Sequence, residues 1–114
     1  MIKKQLLAAH RVRRPGKGFA FIPHRFLTDG FFQSLSRDEL SLYLFLVLVS
    51  DKNGLSFYGA GRIRTILKIG EDAYAHALNN LIDKDLVEHD GTLFQVLSLP
   101  PGPYPSQKGG RYDR

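Results

Sequence analysis

The chain has no cysteine, so neither a disulfide framework nor a thiolate metal site is open to it. A cytoplasmic setting is the expectation. The apolar stretch at residues 2–9 is too short for a signal peptide. It holds Lys3 and Lys4, and a further basic run follows it. The most apolar run, residues 40–49, is about half of the ~20 residues that a membrane span needs, so no membrane partner is expected. There is no GxxxxGK[ST] phosphate loop. The histidines, His10, His24, His76 and His89, are scattered without close ligand spacing, so no metal site is expected. Asp83 and Asp85 read as a solvated helix end, not as paired catalytic carboxylates. With no catalytic constellation in sight, the expectation is a protein that is not an enzyme and takes no cofactor.

Acid is also missing from one part of the chain. Residues 1–25 hold Lys3, Lys4, Arg11, Arg13, Arg14, Lys17 and Arg25 and no carboxylate, a charge of +7. Residues 26–102 hold six basic and ten acidic groups, a charge of −4. The last residues carry Lys108, Arg111 and Arg114 against Asp113, and the whole chain is +5. A polyanion would therefore meet the ends before the body. Contact with nucleic acid is the leading reading of the arm; solubility alone is the other.

What remains is one domain's worth of chain. A length of 114 residues leaves room for little more, and a hydrophobic share of 43% is ordinary for a globular core. The organising stretch is 62–99. In it, Tyr74, Ala77, Leu78, Leu81 and Ile82 recur at helical spacing. Asp72, Ala75, His76, Asn79 and Asp83 occupy the opposite face. Gly70 separates this segment from a shorter one over 60–68, whose stripe is Ile63, Ile66, Leu67 and Ile69. Leu86 and Val87 open an extended run. Asp90 and Gly91 signal a hairpin turn, and Leu93, Phe94, Val96, Leu97 and Leu99 form the return strand.

Upstream, the sequence RVRRPGKG favours a mobile basic loop. The residues before it, 3–9, could make two helical turns, which are marginal alone. Residues 18–22 read as a short strand, with Phe19 and Phe21 on one side. Pro23 suits the first position of a short helix ending by Gly30. Phe31, Phe32 and Leu35 read as lid residues over the core rather than as base-stacking groups. Ser36 and Glu39 form a capping box that starts a helix over 36–50, with Asp38 favourable at its positive end. That helix is apolar nearly all round: Leu40, Leu42, Tyr43, Leu44, Phe45, Leu46, Val47, Leu48 and Val49. It needs cover, either from the Phe-rich segment or from a second copy in a homodimer through residues 40–49. Asn53 and Gly54 make a turn, and 55–58 is a short strand. Arg62, Arg64 and Lys68 are the basic cluster of the body. Arg64 either snorkels outward or shifts the helix packing. From Pro100 onward the Pro- and Gly-rich composition cannot build a core, and a flexible tail over 100–114 is expected.

Helix, tight turn, helix and two-stranded ribbon is the order of a winged helix-turn-helix, and the stretch resembles that superfamily. The fold class expected is thus α+β, with three main helices and a C-terminal β-wing, a basic arm over 1–17 and a domain over 18–99. Ile22-Pro23, the run from Leu35 to Leu40, Gly54 with Tyr58, and the DLV that ends in Val87 widen the likeness. Over roughly 18–99 the order is similar to N-terminal domains of plasmid and phage replication initiators and related mobile-element proteins.

The resemblance implies double-stranded DNA binding, in transcription regulation, replication or mobile-element biology. The length fits a small regulatory or accessory factor better than an initiator with a further domain. By resemblance the helix over 71–84 is the recognition helix, with His76 and Asn79 as base readers. Arg11, Arg13, Arg14 and Lys17 would touch backbone or minor groove. Arg62, Arg64 and Lys68 would touch phosphates, and the wing from His89 to Thr92 flanking backbone. Glu71 and Asp72 at the start of that helix leave a rival open: a winged module that docks on protein and not on DNA.

Overall fold

The computed structural model describes residues 4–103. The architecture is α+β. Among the described residues a 3₁₀ turn (Ala9–Arg11) precedes α1 (Arg25–Thr28), α2 (Phe31–Ser34) and α3 (Arg37–Val49). Then come β1 (Leu55–Phe57), α4 (Ala60–Leu67), α5 (Glu71–Asp83), β2 (Val87–His89) and β3 (Leu93–Val96). The two marginal helical turns read over 3–9 do not form in their described part, where only Ala9 is helical, opening the 3₁₀ turn. Residues 1–3 and 104–114, with most of the expected tail, lie outside the described residues.

The local chemistry sets the ends of α3. The Glu39 N–H donates to Ser36 Oγ at 3.2 Å, and the Ser36 N–H donates back to Glu39 Oε1 at 3.1 Å. This is the capping box read from the sequence. At the other end Ser50 turns extended and its hydroxyl donates to the Val47 carbonyl at 2.9 Å. The next turn is closed by Asp51, whose Oδ1 accepts the N–H groups of Asn53 and Leu55 at 2.8 and 3.0 Å. Those bonds hold its carboxyl below the usual range. Gly54 follows at φ 86°, and a Cβ there would lie 2.5 Å from the Val96 carbonyl oxygen. Only glycine lets the turn come this close to β3, where the Val96 N–H donates to the Gly54 carbonyl at 2.8 Å.

The turn between α4 and α5 differs from expectation. Gly70 is extended, at φ −77°, and the residue that reverses the chain is Lys68, at φ 60°. The Arg64 carbonyl accepts N–H groups from Lys68 and Ile69, the bonding of a left-handed helix cap. The pattern repeats after α5. Asp85 takes φ 65°, the Asp85 N–H donates to Ile82 and the Leu86 N–H to Leu81. A residue other than glycine thus stands in the left-handed position at both helix ends.

The sheet has the order β1-β3-β2, all antiparallel. Ser56 faces Phe94 in one register and Glu88 faces Gln95 in the other. Asp90 closes the β2–β3 hairpin by accepting the Thr92 and Leu93 N–H groups at 2.9 and 2.7 Å, as the Asp90-Gly91 signal implied. Leu42, Leu46, Ile63, Leu81, Val87 and Phe94 are wholly enclosed between α3, α4, α5 and the sheet.

Two further expectations change. Residues 18–22 pair with no strand. The lid residues pack as expected: Phe31 in α2 and Leu35 are buried, and Phe31 stacks 6.2 Å from Phe26, itself stacked 5.0 Å from Tyr43. The apolar helix α3 is not covered on every side, since Leu44 and Leu48 remain 48% and 62% exposed. One small sheet and two neighbouring helices cannot wrap a whole cylinder.

Candidate nucleic-acid interface

Helix α5 is held so that one face packs and the other is free. Tyr74, Ala77, Leu78 and Leu81 are buried, whereas Glu71, Asp72, Ala75, His76 and Asn79 are exposed. His76 and Asn79 therefore stand on adjacent turns of one solvent-facing surface, as the periodicity required. Asn80, one residue on, points the other way. Its Nδ2 donates to Glu39 Oε2 at 2.8 Å, so the two asparagines of the pair differ in role.

The rigidity of that surface comes from a buried charge that sequence reading missed. Lys84 Nζ donates to Glu39 Oε1 and to the Ser34 carbonyl, each at 2.8 Å. Both side chains are nearly enclosed. Burial by itself would raise the Glu39 pKa. The hydrogen bonds from Lys84, Asn80 and the Ser36 N–H outweigh it, and the carboxyl lies below its ordinary value. One carboxylate thus caps α3 and clamps the far end of α5 to it. The sequence carries a faint signal, since Asn80 and Lys84 are four apart and share a helix face.

On α4, Arg62 is exposed and its guanidinium lies 5.9 Å from the Tyr58 ring centroid. That ring meets Phe45 edge-on at 5.1 Å. Arg64 is half-buried, and its Nε is enclosed without a hydrogen-bond partner. Lys68 is exposed at the cap. On the hairpin, His89 is half-buried and stacks on Phe94 at 4.0 Å, while Thr92 is exposed beside the turn. His89 thus offers an edge more than a free ring.

The arm residues Arg11, Arg13, Arg14 and Lys17 are all exposed. Among the described residues, no side-chain hydrogen bond or ion pair joins Arg11, Arg13, Arg14, Lys17, Arg62, Arg64, Lys68, His76, Asn79, His89 and Thr92 to one another, so each is set by its own element. Arg25, by contrast, is a structural cation. It donates to Asp29 Oδ2 at 2.7 Å, to the carbonyls of Leu99, Pro100 and Pro101 at 3.4, 2.6 and 3.3 Å, and lies over the Phe31 ring. The chain is held to Pro101, beyond the Leu99 boundary that composition implies.

Among the described residues no helix is long and apolar enough to cross a membrane, and no group of three or more His, Asp or Glu side chains is placed to hold a metal ion. No protein family, curated protein or solved structure matches the chain.

Proposed function

We propose that the chain is a winged helix-turn-helix protein that binds double-stranded DNA without catalysis. The observation that carries this reading is the free face of α5. It is the second helix of a tightly capped pair, it is rigidly backed by α3, and it presents His76 and Asn79 outward. A sheet of order β1-β3-β2 follows, whose hairpin takes the place of a wing. A recognition helix needs this arrangement, because its N-terminal part enters the major groove while neighbouring elements hold the backbone. Asn79 is chemically matched to adenine. Arg62 and Lys68 are exposed and free to meet phosphates, whereas the enclosed Nε of Arg64 is closed to a phosphate in this arrangement, so only the exposed part of that side chain can contribute. The arm adds four exposed cations in Arg11, Arg13, Arg14 and Lys17. Transcriptional, replicative and mobile-element roles all use such a module.

The test is a salt series. Binding of the full chain to random duplex DNA, followed by fluorescence anisotropy, should weaken steeply with salt. The quadruple change R11Q/R13Q/R14Q/K17Q should flatten the slope of log K against log salt by about 3.6 if each residue engages one phosphate. Absence of binding at low salt overturns the DNA reading. The exposed Leu44 and Leu48 on α3, with Glu71 and Asp72 opening α5, favour a second reading in that event. The domain then docks on protein, or on a second copy, through apolar contact that salt barely changes.

A further inference from the structure

A cavity of about 780 Å³ lies between the base of the arm and the body. Its size is within the range of small-molecule sites. Residues 17–21 form one wall, Tyr43 and Val47 of α3 another, and the 50–54 turn and residues 96–99 complete it. The arm's side of this space is held by side chains alone. Among the described residues no backbone hydrogen bond fixes residues 12–22; Ala20 and Ile22 pack on the core, while Phe19 and Phe21 are 66% and 73% exposed although both line the cavity.

The opposite wall is rigid and carries an unused donor. The Tyr43 ring is only 3% exposed and is stacked on Phe26, yet its hydroxyl has no hydrogen-bond partner among the described residues. Burial pushes its pKa up, so it stays a protonated donor. The charges around the cavity are unequal in freedom. Arg25 is committed to Asp29 and to three carbonyls, and Asp51 accepts two backbone N–H groups. Neither Lys17 nor Lys52 makes an ion pair within 4 Å among the described residues, although the Lys52 charge acts on the neighbouring Asp51 carboxylate. A phenol donor and two ammonium groups thus line an apolar space, with the Asp51 carboxylate beside Lys52 already engaged by backbone N–H groups.

We propose that this cavity binds a small aromatic carboxylate. Its ring lies against Phe19, Phe21 and Val47, and its carboxylate faces the Tyr43 hydroxyl and the ammonium groups of Lys17 and Lys52. Occupancy would pin the base of the arm to the body and so alter DNA affinity, with the reciprocal effect of DNA on ligand. That coupling rests on the DNA-binding reading; the binding site itself does not.

The probe pair is 2-naphthoate and its neutral analogue 2-naphthylmethanol, titrated into the full chain and followed by amide NMR shifts. Naphthoate should give saturable shifts at Tyr43, Val47 and Ser98 and bind more tightly than the alcohol. Tyr43→Phe should weaken naphthoate about three- to tenfold and the alcohol less, whereas Lys17→Gln with Lys52→Gln should weaken naphthoate about three- to tenfold and leave the alcohol unchanged. Ala20→Trp, which fills the cavity from the arm side, should abolish both. Should that variant fail to fold, the charge-removing variants decide alone. No saturable shift at millimolar naphthoate overturns the proposal, as does equal binding of both probes in every variant. Naphthoate binding without DNA binding sinks the DNA reading alone, and DNA binding without naphthoate binding sinks this one alone.

Discussion

Replacing Lys84 by Met tests the internal clamp, because it keeps the stem and removes the charge. The ammonium group has two partners, Glu39 Oε1 and the Ser34 carbonyl, each at 2.8 Å. After the change the carboxylate keeps its bonds from Asn80 and the Ser36 N–H but sits buried without its counter-charge. Breaking a buried pair on one side costs about 3–5 kcal/mol. The retained bonds place K84M near the low end, at about 3 kcal/mol, and the melting temperature should fall by roughly 12–24 °C for a domain of this size. The pH dependence carries the sharper signature. In the native chain the Glu39 pKa lies below its ordinary value. Its contribution is therefore fully present above that ordinary value and is lost as pH falls through the depressed one. In K84M the burial that raises the pKa is no longer outweighed. The cost then sits on the charged form and eases as acid protonates the carboxyl. The two melting curves, recorded by circular dichroism between neutral pH and about pH 4, should converge in acid. A drop that is the same at every pH, or a loss under about 1 kcal/mol, would refute the assignment of Glu39 as a buried carboxylate clamped by Lys84. The double change E39M/K84M should cost less than K84M alone, since an apolar pair leaves no orphaned charge.

Other measurements bear on the backbone and the interface. Gly54→Ala should destabilise by about 2 kcal/mol or more, because its Cβ would sit 2.5 Å from the Val96 carbonyl at a left-handed φ; a denaturant midpoint within error of native would contradict that. Asp85→Gly should do the opposite, raising stability by about 0.5–1 kcal/mol, since glycine takes the left-handed cap without a Cβ clash. Lys68→Gly should gain similarly while weakening DNA binding slightly at low salt. Asn79→Ala should leave stability unchanged and alter sequence preference, at about 1–3 kcal/mol on a preferred site if it makes a bidentate adenine contact. Selection from a random-duplex pool reads that out, and an unchanged preference removes Asn79 as a base reader.

The sequence by itself determined the elements whose causes are local. The Ser36–Glu39 box starts α3 because both partners lie within one turn. The buried and exposed faces of α5 follow from a helical period in which Tyr74, Leu78 and Leu81 recur. Asp90 and Gly91 make the hairpin because one carboxylate can accept the next two N–H groups. The exposure of His76 and Asn79 was legible for the same reason. Tertiary structure decided what depends on distant partners. Residues 18–22 have strand-like composition, but a strand needs a neighbour, and the chain path does not bring this segment alongside either open edge, β1 or β2. Lys84 stands between Asp83 and Asp85, which read as a solvated helix end, and its burial could not be read locally because its partners, Glu39 and Ser34, are 45 and 50 residues away. Arg25 looked like part of the arm, and only the fold brings the carbonyls of Leu99, Pro100 and Pro101 to it. The left-handed residue between α4 and α5 fell on Lys68, where the Arg64 carbonyl takes the N–H groups of both Lys68 and Ile69, and not on Gly70. A period or a cap is written in neighbouring residues; a buried charge is stable only where another part of the chain arrives to meet it.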